Sequence, residues 1–470
     1  MAFLHGSETV EVQTSGGTIV LAKNSIVGLV GTAPVGGVGE LVAISTLKQG
    51  IEVYGEQVPG FTIPQSLAAH FAQGGGTIVV LNVFDISTMA TSVPGASLVI
   101  SGGKAKMAAA PVDTPAFTNA GATVTFVAGT DYKVDSFGNF TVLNFTAIPE
   151  GSTVLATYKF LSPTSGVTAA AAVIGSVTNG VRTGFKKLVE SRNLFGYIPK
   201  ILISPTFCEN AGVAAEMIVQ ATALEGVAII DAPETATVTT AITARGPSGT
   251  FAGFKSSSDR VILTFPYLKV FDVATNDDQN RPYSPFLAGV ISANEKYWES
   301  PSNKEILGIT GVSQLVTSAI NDASTDANKL NEVGIVTVFG GYGTGTRTWG
   351  NRNASFPSTA NAESFIATRL VKDSVHASLE EGILAWIDKP INQAFVDGVT
   401  NVANKFINTQ QARSALTPGS FAKYNPSSNT VAQLENGHVV FDVYFANPIP
   451  AERITFQSKF DVNLIKAALT

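Results

Sequence analysis

Hydrophobic and polar positions follow two alternating regimes along the chain. Val10 and Val12 alternate with Glu11 and Gln13 before the Gly16-Gly17 break, which predicts an extended arm carrying a short strand. Ser25–Val30 is a continuous apolar run ending at Gly31, the pattern of a buried strand, and a Gly/Pro-rich loop follows over 32–39. Helical spacing over Pro64–Gln73 stops at Gly74-Gly75-Gly76, and the β-branched run Thr77–Phe84 predicts a central strand. Strand, helix and strand in that order predict an α/β layer.

The pattern changes after Asp85. Between Ser92 and Ser162 the chain is rich in Thr, Ala, Gly and Val, with short β runs at Ala122–Val127, Asn139–Leu143 and Thr153–Phe160. Turn residues separate them, as in Asp135–Asn139 and Pro149-Glu150-Gly151, which predicts a small β-sandwich inserted into the α/β pattern. From Gly166 helix and strand alternate again: a helix over Gly175–Ser191, a strand over Lys200–Ser204, a helix over Ala211–Leu224, and strands at Val227–Ile230, Arg260–Thr264 and Gly334–Phe339. A long amphipathic helix is predicted over Asn361–Asp388 and a second over Ile391–Gln410. Two β runs close the chain, Gly437–Phe445 and Ile454–Phe460, separated by Pro448-Ile449-Pro450. The expected organisation is α/β and multi-domain: a linker arm over 1–20, a discontinuous core from 21–90 and 354–470, the β-sandwich over 91–165, and a middle α/β domain over 166–353.

Composition sharpens this picture. Charged residues are 14% of the 470 and hydrophobic residues 45%, whereas a soluble domain carries roughly 25% charged residues. A chain so poor in solvating charge lies in a membrane or meets other protein over much of its surface. Membrane insertion is not expected, because the richest apolar stretch, Ala169–Val177, is far shorter than the roughly 18 residues of a spanning helix. Met1–Val12 has no basic region followed by an apolar core, so no secretory signal is expected. The net charge of −6 offers no basic footprint for nucleic acid.

The catalytic inventory is nearly empty. Cys208, the single cysteine, reads as a small buried hydrophobe. Gly28–Gly39 lacks the Lys-Ser/Thr ending of a P-loop, and Gly340–Gly350 lacks dinucleotide spacing with a following helix. His5, His70, His376 and His438 are scattered without metal-ligand spacing, and His376 with Glu380 reads as a surface pair. Asp272, Asp277 and Asp278 do not follow a calcium-loop pattern. No catalytic, metal or cofactor site is expected.

Several ordered segments carry a resemblance. They begin with Phe3-Leu4-His5-Gly6 and SIVGLVGTAP over 25–34, then Asp131-Tyr132 with the IPEGSTV run over 148–154. PKILISP over 199–205, AIIDAP over 228–233, and Leu287–Val290 with the WESPSN run over 298–303 and Ile309-Thr310-Gly311 follow. Trp349-Gly350-Asn351-Arg352 and Pro450-Ala451-Glu452-Arg453-Ile454 complete the series. Together they resemble the tail sheath family of contractile-tailed bacteriophages, in the form of P2-like phages and R-type pyocins.

The resemblance implies a structural, non-enzymatic subunit of a virion tail, assembled in the bacterial host cytoplasm. It also implies self-association in helically stacked hexameric rings around a tail tube, with baseplate and tail terminator proteins as further partners. Terminal arms are expected to add strands to neighbouring subunits, through Val10 and Val12 at one end and Val439, Phe441, Val443, Ile454 and Phe456 at the other. The C-terminal region is implied to face the tube, with Arg369 and Lys372 as candidate contacts. Two other classes stand beside this reading: a nucleotide- or sugar-processing α/β enzyme with a β accessory domain, and a surface or adhesion protein with an Ig-like domain.

Overall fold

The computed structural model describes residues 25–162, 165–272 and 275–463. Val10 and Val12 lie outside these residues. The apolar runs read from the sequence form strands whose residues are buried throughout: Val27–Gly31, Ile78–Asn82, Val227–Asp231 and Ile335–Phe339. Strands of this kind, apolar on both faces, belong inside a parallel sheet covered by helices.

They form one eight-stranded sheet. From one edge to the other its order is Arg347–Trp349, Ile335–Phe339, Val261–Thr264, Val227–Asp231, Ile201–Ile203, Val27–Gly31, Ile78–Asn82, Leu41–Ile44. All interior pairings are parallel, and only the two edge strands run antiparallel. The helices Ala211–Ala223 and Ser284–Ala293 pack against the middle strands. Asn210 starts the first of these, its Oδ1 accepting from Gly212 N at 2.9 Å.

The sheet corrects the expected domain grouping. Val27–Gly31 is hydrogen-bonded to Ile78–Asn82 on one side and to Ile201–Ile203 on the other. The strands between Val27 and Asn82 therefore share a sheet with strands of 166–353, not a separate core with 354–470. An interior strand must have both its edges paired, and the middle segment supplies the second partner.

Residues 90–161 stand apart as two three-stranded sheets enclosing their own core. Phe117, Tyr132 and Phe140 meet there with ring centroids 4.7–5.1 Å apart. The expected strand over Ala122–Val127 is absent apart from a single bridge between Thr118 and Thr125. Asn119 turns the chain instead, its Oδ1 accepting from Thr123 N at 2.8 Å and Val124 N at 3.1 Å.

The helix expected over Gly175–Ser191 lies earlier, at Ser165–Ile174, and a tight Val177–Thr178/Val181–Arg182 hairpin with a 3-10 turn fills the predicted span. Gly175 ends the helix with φ +73°, and a Cβ there would lie 2.0 Å from Thr183 O, so the backbone passes where no side chain fits.

The C-terminal part is a smaller module with its own core, built on the helices Ile366–Gly382 and Gln393–Ala412 and the ribbon Phe421–Tyr424/Phe441–Tyr444. The first helix joins the two cores: Ile366 and Leu370 pack into the sheet's core, Val371 and Val375 into the module's. It begins at Ile366, not Asn361, after a 3-10 turn over Ala362–Ser364 capped by Asn361. No helix among the described residues is long and apolar enough to cross a membrane.

Candidate subunit interface

The ribbon pairs Phe421 with Tyr444 and Tyr424 with Phe441, and the rings of Phe421 and Tyr444 stack at 5.1 Å. Among the described residues it has two strands only: the outer edge of Phe441–Tyr444 meets no strand, whereas on the other strand Ala422 bonds through both N–H and C=O to the Asn404 side chain, each at 2.8 Å. Phe441 and Val443 sit half-buried in this ribbon, and Val439 just before it. Phe441 and Val443, two of the expected arm residues, are thus already engaged within their own chain.

Beyond the ribbon the backbone changes character. No backbone–backbone hydrogen bond joins 447–463 to any other described residue. The strand expected at Ile454–Phe460 therefore has the alternation of a strand and no ladder. Ile454 is 71% exposed, Phe456 90%, Phe460 85% and Val462 63%. In an extended chain Ile454, Phe456 and Phe460 fall on one side together with Ser458, and Thr455, Gln457 and Lys459 on the other, while Val462 lies in a turn.

One contact fastens the root of this segment. Arg352 donates from Nε to Glu452 Oε1 at 2.8 Å and from Nη2 to Oε2 at 2.5 Å, a two-pronged pair. The guanidinium also bonds Ser364 Oγ and lies 3.6 Å above the Phe365 ring. The pair brings together two segments singled out in the sequence, Trp349–Arg352 and Pro450–Ile454.

Arg369 is placed differently from expectation. It is 8% exposed and bonds Asp373 at 2.6 Å and Asp259 at 3.0 Å. Arg260 also reaches Asp373, at 3.1 Å. These four charges fasten the Ile366–Gly382 helix to the end of the sheet where the Val261–Thr264 strand begins. Arg369 therefore presents no charge to an outside partner. A helical wheel puts Arg369 and Asp373 on one i, i+4 row but does not reveal that this row faces Asp259 and Arg260. Lys372, on the partly exposed side, bonds Glu363.

Cys208 is fully buried, and its thiol is pushed well up by burial and by the neighbouring Asp231. Asp231 itself is inside the protein, accepting from Ser284 N and Thr264 Oγ1, each at 2.7 Å. It joins the end of a strand to the start of the Ser284–Ala293 helix, and AIIDAP carries it in the sequence.

Residues 184–354 match the family model described as the phage tail sheath protein central domain. The tail sheath protein of Burkholderia phage BcepMu is 37% identical over 465 residues, covering 97% of this chain and 96% of that protein. The chain belongs to the tail sheath protein family. This sheath chain is therefore a structural subunit and not an enzyme, and neither alternative class is supported. A putative prophage major tail sheath protein of Pseudomonas aeruginosa UCBPP-PA14 is 31% identical over 61% of the sheath chain and 72% of its own length. Among solved structures, the helical sheath of the anti-feeding prophage in its contracted state matches with a TM-score of 0.61 at 15% identity, covering 98% of this chain and all of that one. The contracted sheath of an extracellular contractile injection system matches at 0.59 and 14%. At such identities these matches show the shared mixed α/β fold.

Proposed function

We propose that this sheath subunit polymerises by lending its terminal segments to neighbours and contracts by moving subunits as rigid bodies about those segments. The observation that carries the reading is the free 453–463 segment: alternating, exposed, without backbone partners, and leaving a ribbon whose Phe441–Tyr444 edge is open. An unpaired edge and an unpaired strand are complementary liabilities, and exchange between copies satisfies both. At about 1 kcal/mol net per backbone hydrogen bond, a strand of several bonds holds neighbours together while the chain at its root stays jointed.

Hexameric rings stacked helically around a tail tube, capped by baseplate and terminator proteins and assembled in the host cytoplasm, are the assembly this reading entails. The stroke draws on a free-energy difference between two packings and needs no nucleotide. The 91–165 sandwich, with its separate core, suits an outward position. Lys372, paired with Glu363 on the partly exposed side of its helix, is the tube-facing candidate that remains.

The test is a chain ending at Pro450. The truncated subunit should fold and stay unpolymerised, whereas the full chain should form striated tubes by negative-stain microscopy. Normal tubes from the truncated chain would overturn the proposal.

A further inference from the structure

Val27–Gly31 and Ile201–Ile203 are neighbours in the sheet, yet the chain first builds outward from one and later lays the other on its opposite side. Such a reversal opens a crevice beyond the carboxyl ends of the strands, the place where open α/β sheets hold ligands. Here the crevice is a cavity of about 620 Å³. Small-molecule sites typically fall in a range of roughly 300–1,000 Å³. Thr32, Thr206, Pro233 and Tyr267, which follow four of the strands, line it. Thr206 holds φ +69° and ψ −45°, a strained conformation for a β-branched residue.

The walls are apolar and aromatic, formed by Phe61, Met89, Phe207 and Phe286. The polar groups are unbalanced. Glu209 and Glu234 both line the cavity, whereas its Arg281 is bound to Asp272 at 2.8 Å. Gln65 is 8% exposed and Thr32 2%, and neither Gln65 Oε1 nor Thr32 Oγ1 has a hydrogen-bond partner. Gln65 has already used its amide nitrogen on Val58 O at 2.6 Å. Burial pushes the Glu209 carboxyl up to about 7; nearby Asp231 and Glu234 add to this, while the Tyr267 hydroxyl that donates to it works the other way. The two carboxylates outnumber the single Arg281, which Asp272 already neutralises, and Gln65 Oε1 is a buried acceptor without a donor, so the cavity is short of positive charge.

We propose that this cavity binds a small organic cation, an amine on a flat apolar body, with its ammonium toward Glu209 and Glu234 and its body against Phe61, Phe207 and Phe286. The site does not depend on the polymerisation reading. It does have a consequence for the inserted sandwich, because Met89 and Leu161, at the two crossings into and out of that module, line the same cavity. A bound amine therefore stiffens the junction between module and sheet.

The test is calorimetric titration of the purified full chain with tryptamine, and with indole-3-propionate as an anion of similar size. Tryptamine should bind saturably and at least tenfold more tightly than the anion. At pH 7 its binding should release protons as Glu209 ionises, read from the dependence of the heat on buffer. Glu234→Gln, at an exposed position, should weaken binding several-fold. Gly166→Trp should abolish it, since Gly166 borders the cavity and has open space at its Cβ position. No saturable heat, equal affinity for the anion, or undiminished binding by the Gly166→Trp chain would each overturn the proposal.

Discussion

Arg352 and Glu452 lie 100 positions apart and meet through two parallel contacts, at 2.8 and 2.5 Å. The guanidinium side chain is 14% exposed and the carboxylate side chain 39%. Every described residue after Glu452 is exposed. The pair therefore fixes where the C-terminal segment leaves its own subunit, and a joint placed there can turn without disturbing either core.

Glu452→Gln should release that root. The carboxylate is partly solvated, so the loss is only about 1 kcal/mol and global melting should barely change. Limited proteolysis with peptide mapping should show faster cleavage between Asn447 and Arg453. Arg352→Lys should behave the same way, because an ammonium cannot reproduce the two-pronged fork. Unchanged cleavage in both variants would mean that the segment is held elsewhere.

Phe456→Asp separates assembly from folding. The side chain is 90% exposed in the single subunit, so stability should stay within about 0.5 kcal/mol of the parent. Buried in a neighbour, the same carboxylate would be costly. Sedimentation velocity should find the variant unpolymerised at concentrations where the parent forms tubes. Polymers of parental size would show that this side of the segment is not the one a neighbour covers.

Arg369→Met tests the buried ion group. It leaves Asp373 with Arg260 alone and strips Asp259 of its partner. Removing one member of a buried pair costs about 3–5 kcal/mol, and the surviving Arg260 contact should hold the loss near the lower figure. Urea titration measures it. Lys372→Glu should leave stability within about 0.5 kcal/mol, so a defect in tube attachment by that variant would report on the surface and not on folding.

The sequence made the central strands legible because a run such as TIVVLNVF or KILIS is apolar on both sides, and that alone specifies a buried parallel strand. It did not disclose which strands share a sheet: Val27–Gly31 carries no mark saying that Ile201–Ile203 lies beside it. Leu41–Ile44 and Leu47–Tyr54 carry little linear signal, because the strand is short and Gly50 interrupts the helix. A Cβ on Gly50 would lie 2.8 Å from Leu67 Cδ1, so a larger residue there would need the Leu67 side chain to turn aside. At the candidate interface, alternation marks Ile454 and Phe456 as strand-forming, yet among the described residues they pair with no other strand. Nothing in a linear pattern distinguishes them from Phe441 and Val443, which pair within the chain. Arg369 was misplaced for a related reason: charge suggests a surface, and only the positions of Asp259 and Asp373 reveal a buried cluster.

His70 gives the subunit an acid-sensitive point. Its ring is fully buried, Nε2–H donates to Gly76 O at 2.8 Å, and Nδ1 has no partner. Burial lowers its pKa from 6.5 to about 4, the Gly76 bond opposing only in part. Between those two values the unfolded chain takes up a proton that the folded chain refuses. Stability therefore falls as pH drops through that window, by about 2 kcal/mol between pH 7.5 and 5. Glu209 works in the opposite sense: its raised pKa makes the folded chain take up a proton first, so its contribution grows as pH falls. The difference between parent and His70→Gln isolates the histidine, because Glu209 is common to both. His70→Gln should be less stable than the parent at pH 7.5, and that deficit should shrink by about 2 kcal/mol at pH 5. Parallel stability curves for the two chains over this range, read by urea titration, would mean that His70 is protonated as readily inside the fold as outside it.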